Sequence, residues 1–324
     1  REDIRSDVYG LYMGNEGVLT LEGTYLPEGV NDDIRKASCY AFADWIYLNA
    51  FDEAATSYYS VFSSESSTLA PGVTHVRNKA MTVDNKQIVY QLATVDVSRD
   101  DVTVEANYKD NDASSWGMQR VSEQMQAAER RHDDPNDSEN YVPNYRAVAG
   151  VNADFYDMTN GVPSGALVMN GKQYHGAGNE NFFAILDDGS AVIGAPSDWS
   201  AYKSRVREAV GASIYLVKDG KPAVSANDNY TSNRNSRTCV GITYDGKVVL
   251  MVLDGRQEPY SAGGAAQEIA QIMIEAGCVT AVNLDGGGSA TFAGRPEGSD
   301  EISVMNSPSD GYERSVSSSL VVVS

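Results

Sequence analysis

The chain has 324 residues, 42% of them hydrophobic and 22% charged: enough for one large domain, alone or with a smaller partner, and too apolar for wholesale disorder. Its formal net charge of −20 excludes the basic footprint that nucleic-acid backbones need. An anionic substrate would therefore have to be met by local cations or backbone dipoles.

From Asn31 or Asp32, both suited to cap a helix, the apolar residues Ile34, Ala37, Ala41, Trp45 and Leu48 recur at helical spacing and predict one amphipathic helix. A serine-rich stretch over residues 57–67, followed by Pro71-Gly72, reads as a linker or exposed loop. Residues 1–65 are thus expected to form a helical N-terminal appendage and residues 66–324 the main domain. Residues 87–97 are β-branched and aromatic and residues 101–108 alternate with period two, so both predict strands. A helix is expected near Ser115, with Met118, Val121, Met125 and Ala128 on one face. An acidic surface loop over residues 130–141 and a buried strand over residues 145–152 follow.

Strand signals continue at residues 182–186 and 190–194, and Trp199, Tyr202, Val206 and Val210 suggest a helix capped by Ser197. Residues 213–218 before Asp219-Gly220 and residues 239–244 before Asp245-Gly246 read as hairpin arms. Residues 247–253 predict a buried strand. A helix from about Ala265 turns Ile269, Ile272, Met273 and Ala276 inward and stops at Gly277. A short strand over residues 280–284 then delivers the chain to Asp285. Strands outnumber helices and many are hairpin-connected. The expected fold class is α+β, with mixed or antiparallel sheets, a few packed helices and the short helical N-terminal segment.

The run after that last strand carries the strongest chemical signal. Three glycines and a serine follow a strand-end aspartate, and glycines leave backbone N–H groups unshielded, so the loop can form an anion-binding nest beside a fixed carboxylate. No Lys-Ser/Thr follows at Walker spacing, and the serine is not placed as in a nucleophile elbow. On spacing alone, a glycine turn required by backbone packing accounts for the run equally well.

Asn283-Leu-Asp-Gly-Gly-Gly-Ser-Ala-Thr291 resembles the signature of the phosphodiester glycosidase family. Val151-Asn-Ala-Asp-Phe-Tyr156 with Gly161-Val-Pro-Ser-Gly165, residues 209–220, Ser236-Arg-Thr-Cys-Val-Gly241, Leu253-Asp-Gly-Arg256, and Asn306-Ser-Pro-Ser-Asp-Gly311 with Arg314 are similar to flanking family segments, in order. The resemblance runs from about residue 70 to the C-terminus. It departs at Ala153, where Gly is common, and at Tyr156, where Phe is common.

The resemblance implies that residues 66–324 are a catalytic domain cleaving a sugar-1-phosphodiester, a carbohydrate substrate on cell-surface or secreted glycans. Arg237 is then the phosphate ligand, since a guanidinium grips two oxygens, with Gly286, Gly287, Gly288 and Ser289 adding backbone donors. Asp285 is the general base or nucleophile, and Asp254 or Asp154 the second carboxylate that chemistry at an anomeric carbon uses. Asn152, Asn283, Thr291 and Asn306 would bind and orient the substrate, and Arg314 would complete the cation set. Plainer roles exist for several. Arg237 could pair with Asp254 across adjacent strands, Asp154 could cap its own turn, Asn152 and Asn306 could be turn residues, and Arg314 could form a surface ion pair.

Asp154, Asp254 and Asp285 could also gather oxygen ligands for calcium or magnesium, although no DxDxDG-type loop is present. His75, His132 and His175 lie outside the motifs, which argues against a Ser-His-Asp hydrolase. Cys39, Cys239 and Cys278 are isolated, without zinc-ligand spacing, and read as small buried hydrophobes. The 19 Tyr against 7 Phe suit sugar stacking or half-buried strands equally. No apolar run reaches transmembrane length, and the opening at Arg1 rather than Met leads us to expect a removed signal or anchor and an extracytoplasmic setting. The alternative is a non-catalytic glycan-binding module, which would need the glycines and tyrosines but not Asp285. A related glycosidase indifferent to phosphate would not need Arg237.

Overall fold

The computed structural model describes residues 57–324 except 134, 137–140, 225–232 and 297, preceded by the backbone of two short strands, β1 (Leu11–Met13) and β2 (Leu19–Leu21). The chain divides into two compact units, Arg1–Ser57 and Tyr58–Ser324. In the first, β1 and β2 form an antiparallel pair with Leu11 opposite Leu21. The helix expected from residue 31, and Cys39 within it, lie outside the described residues.

The second unit opens with β3 (Tyr59–Ala70), β4 (Val73–Thr82), β5 (Gln87–Val95), β6 (Thr103–Tyr108) and helix α1 (Val121–His132). It continues with β7 (Ala147–Asn152), β8 (Leu167–Met169), β9 (Lys172–His175), β10 (Asn181–Leu186), β11 (Ala191–Gly194), the one-turn helix α2 (Trp199–Tyr202) and β12 (Val206–Ala212). Then come β13 (Tyr215–Lys218), β14 (Lys221–Pro222), β15 (Arg237–Thr243), β16 (Val248–Leu253) and helix α3 (Ala266–Glu275). The unit closes with β17 (Cys278–Asn283), β18 (Phe292–Gly294), β19 (Ser303–Val304) and β20 (Ser318–Val323). Among the described residues every strand pairing is antiparallel, in one eight-stranded sheet, β14-β13-β17-β15-β16-β5-β4-β3, and two five-stranded sheets, β19-β18-β7-β20-β6 and β11-β10-β12-β8-β9. The α+β class is the one observed.

The three sheets share one core, and side-chain alternation explains how. Along β16, Val248, Leu250 and Val252 face the central core with Val104, Val151, Phe183, Val210, Phe292 and Leu320. Val249, Met251 and Leu253 face the other way, onto Ile269, Ile272 and Met273 of α3. A strand buried on both faces reads as an unbroken apolar run, which is why residues 247–253 show no polar alternation. The other two sheets are covered in the same manner. Val121 and Met125 of α1 pack on Ala147, Ala293 and Val321, and Trp199 and Tyr202 of α2 pack on Phe182, Ala184 and Ala209. Full burial of each Val, Leu, Ile, Phe or Met among these contributes roughly 1.5–3 kcal/mol.

Two expectations are corrected. Residues 57–67 are not a linker. Tyr59–Ala70 is a long edge strand paired along its length with β4, Tyr59 opposite Thr82, and its serines point outward on an exposed ladder. The compact unit therefore starts at Tyr58, and a boundary at residue 65 would cut this strand. The second concerns residues 199–210. Only Trp199–Tyr202 is helical, while Val206–Ala212 is a central strand held by β10 on one side and β8 on the other. The helical spacing of its apolar residues was coincidental: Trp199, Tyr202 and Val206 meet in one cluster, whereas Val210 faces the central core. The helix expected near Ser115 begins later, at Val121, where Glu123 accepts the Arg120 N–H. Helix α3 ends as expected, with Gly277 at φ +90° accommodating the left-handed C-terminal turn.

Candidate active site

Strand β17 lies between β13 and β15, so its C-terminal end is fixed from both sides. Beyond it, Leu284 N–H donates to Thr238 O and Asp285 N–H to Ala153 O, each at 2.8 Å. Asp285 is thereby pinned where the eight-stranded sheet meets the segment leaving β7. Asn152, 1% exposed, completes the joint: Nδ2 donates to Asp285 O at 2.7 Å, while Oδ1 accepts Thr238 Oγ1 at 2.6 Å and Thr291 N–H at 3.1 Å. A side chain committed to three internal bonds holds the loop in place, rather than binding substrate as expected.

The loop's glycines make room more than they offer donors. A Cβ on Gly286 would lie 2.6 Å from Ser236 O, and one on Gly288 would lie 2.0 Å from Arg314 Nη2 and 2.3 Å from Asp310 Oδ2. Gly287, at φ +62°, has Arg256 alongside. The expected anion nest is largely used up: Gly287 N–H donates to Ser236 O at 2.9 Å and Ser289 N–H to Gly286 O at 3.2 Å. The Gly286 N–H bonds the Asp285 carboxylate. Positive charge at this loop therefore comes from side chains, first from Arg314.

Asp285 is half-buried, and burial pushes its pKa up to about 6 against the opposing pull of the Ser289 hydroxyl, the Gly286 N–H and Arg314. Arg314 is shared: Nε and Nη2 donate to Asp310 Oδ2 at 2.9 and 2.6 Å, and Nη1 reaches Ser289 Oγ at 3.4 Å. Tyr156, whose hydroxyl donates to Ser315 O at 3.2 Å, interacts with Ser289, Asp285 and Arg314. Ser289 is thus the junction of a carboxylate, a phenol and a guanidinium.

Asp154 approaches from the segment after β7. It is 2% exposed, and its Oδ2 accepts the Gly165 N–H at 2.6 Å. A Cβ on Gly211 would lie 2.4 Å from the same oxygen, so the carboxylate fits only because that position is glycine. Burial raises its pKa to about 7; the Gly165 N–H opposes this, and the charges of Glu180 and Asp285 push the same way as burial. The structure therefore brings Asp154 and Asp285 into electrostatic contact, with Glu180 beside Asp154. The Gly165 carbonyl accepts from His175 Nδ1 at 2.6 Å, which places the imidazole proton on that nitrogen.

Asp254 is not part of this pair. Its Oδ1 accepts Asn306 Nδ2 at 2.9 Å and Ser307 N–H at 3.0 Å, and its Oδ2 accepts the Tyr260 hydroxyl at 3.0 Å. Asn306 is spent in the same clasp, donating also to Ala290 O at 3.1 Å and accepting the Phe292 N–H at 2.8 Å. Asn283 donates to Ser213 Oγ at 3.1 Å and ties β17 to the turn before β13. Thr291, 0% exposed, sits under the loop. Along β15, Thr238 faces Asn152, so alternation turns Arg237 to the opposite face with Cys239, where Nη2 donates to Asn233 O at 3.3 Å. Among the described residues no three His, Cys, Asp or Glu side chains converge as a metal cage. Tyr156, Glu180 and Arg256 were missed as site residues. Two of these stand in or beside quoted motifs, but nothing in their spacing showed where the side chains would point.

The family model described as phosphodiester glycosidase matches residues 145–323, more than half of the chain. A SPbeta prophage-derived uncharacterized protein of Bacillus subtilis (strain 168) is 30% identical over 187 residues, 55% of this chain and 28% of its own. The N-acetylglucosamine-1-phosphodiester alpha-N-acetylglucosaminidase of Bos taurus is 28% identical over 159 residues, 44% of this chain and 30% of its own. The chain thus spans less than a third of the length of either relative. Among solved structures, the zebrafish N-acetylglucosamine-1-phosphodiester alpha-N-acetylglucosaminidase catalytic domain, auto-inhibited by its pro-peptide, superposes with TM-score 0.60 at 18% identity, covering 85% of this chain and 92% of that one. A putative exported protein from Burkholderia pseudomallei superposes with TM-score 0.58 at 14% identity, covering 81% and 97%. At these identities the superpositions speak to the fold.

Proposed function

The chain belongs to the phosphodiester glycosidase family, and from that premise we propose that it hydrolyses a sugar-1-phosphodiester by cleaving the bond between the anomeric carbon and the phosphate oxygen. Membership carries a glycosidase-type function and a carbohydrate-type substrate at the level of the family. The observation that carries the finer reading is the Asp154–Asp285 pair, two carboxylates raised to about 7 and about 6 beside an arginine-flanked glycine loop. Environments that separate two carboxyl groups near neutrality assign one as acid and the other as base.

Asp285, the more readily ionised, takes a proton from the water whose oxygen attacks the anomeric carbon. The C–O bond breaks with its electron pair leaving on the phosphate oxygen, and protonated Asp154 returns a proton to that oxygen. Arg314 offsets the charge on the departing phosphate monoester. Ser289 and Tyr156 hold Asp285 and Arg314 in register.

Release from a panel of alpha- and beta-linked sugar-1-phosphodiesters, run in ¹⁸O-water with and without chelator, tests this. Label on the sugar is expected. Label on the phosphate would refute C–O cleavage, and binding without release from any diester would leave a glycan-binding module instead.

A further inference from the structure

Beside the glycine loop stands a cation that the reading above leaves unused. Arg256 adopts φ +60°, a left-handed conformation that L side chains rarely take. Its guanidinium lies flat against Gly287: a Cβ there would be 3.1 Å from Nη2 and 3.4 Å from Cζ and Nη1. Gly255 before it is wedged into the backbone, since a Cβ would meet Ser236 N at 2.3 Å, and Gln257 and Ser261 close the turn with reciprocal 3.0 Å bonds. Among the described residues, Arg256 makes no hydrogen bond or ion pair. This is notable in a chain of net charge −20. Glu258, two residues along, pairs with Lys86 at 2.8 Å; Asp310, at the glycine loop, pairs with Arg314 at 2.6 Å; and Asp254, two residues before, is held by Tyr260, Asn306 and Ser307.

We propose that Arg256 is a phosphate-binding residue, gripping the substrate phosphodiester from the Gly287 side while Arg314 meets it from the Gly288 side. The inference rests on the proposed function and deepens it. An exposed guanidinium lying against a glycine is open to an incoming anion, and its planar fork suits two phosphate oxygens. Glycine at 287 is what lets the guanidinium lie on the loop.

Arg256→Gly removes the side chain while accepting the same φ, so folding is preserved; Arg256→Lys retains the charge without the fork. The probes are inorganic phosphate, titrated calorimetrically into the whole chain, and sugar-1-phosphate methyl esters, followed by turnover. Losing one charged two-point contact is expected to weaken phosphate binding and raise KM about 10- to 100-fold in Arg256→Gly, with a smaller change in kcat. Arg256→Lys is expected to fall between wild type and Arg256→Gly, and the thermal midpoint of Arg256→Gly should be unchanged or higher. Equal phosphate affinity in wild type and Arg256→Gly would overturn the role of Arg256 while the hydrolase reading stands. A wild type that neither binds phosphate nor turns over any diester would overturn both.

Discussion

The tripeptide Leu-Asp-Gly occurs at the ends of two strands that flank β15, as Leu253-Asp254-Gly255 and as Leu284-Asp285-Gly286, and the two copies do different work. Leu253 packs under α3, whereas Leu284 points into the core shared by the three sheets. The carboxylate of Asp254 is closed over by Tyr260, Asn306 and Ser307. It clasps two loops and has no oxygen to lend. The Asp285 carboxylate is met by the Ser289 hydroxyl, the Gly286 N–H and the charge of Arg314, and is half-open. Identical local chemistry becomes a closed clasp or a half-open carboxylate according to how many donors the distant chain brings.

Asp285→Asn should therefore lower turnover by about 10³-fold, within the range for a lost general base, and leave the thermal midpoint unchanged or raised because a charge disfavoured by burial is removed. Steady-state kinetics with a melting curve checks both. Asp254→Ala should show the reverse emphasis, a loss of about 3 kcal/mol in urea unfolding, because three neighbouring donors lose a buried acceptor. If Asp285→Asn unfolds the chain while Asp254→Ala folds normally without activity, the two assignments must be exchanged.

The finest distinction is in pH. Asp285 and Asp154 titrate above the unfolded value of about 3.9. The stability they contribute is therefore complete below that pH and is lost as pH rises through about 6 and about 7. Asp154→Asn should gain in melting temperature relative to wild type on going from about pH 5 to pH 8. Wild-type turnover should peak between the two values, with limbs that belong to the pair rather than to either residue. A flat melting difference would mean that Asp154 is not held protonated by its surroundings.

Much of the fold was legible from one-dimensional pattern. Continuous apolar runs found β16 and β17, Asp219-Gly220 marked the β13–β14 turn, with positive φ at both residues, and Gly277 marked the end of α3. Pattern failed where side-chain period was ambiguous, at residues 199–210, and where polar composition masked a paired edge strand, at residues 59–70.

The site divided along the same line. The family, the α+β class and the glycine loop after Asp285 could be read from the residues alone, because these depend on local backbone chemistry and motif order. It took the packing of distant segments to bring Asp154 rather than Asp254 to Asp285, to fill the space over the glycines with arginines, and to engage Asn152 and Asn306 in holding the frame. Each of those outcomes depends on which groups meet across 25 to 133 residues of chain, and no local spacing encodes that.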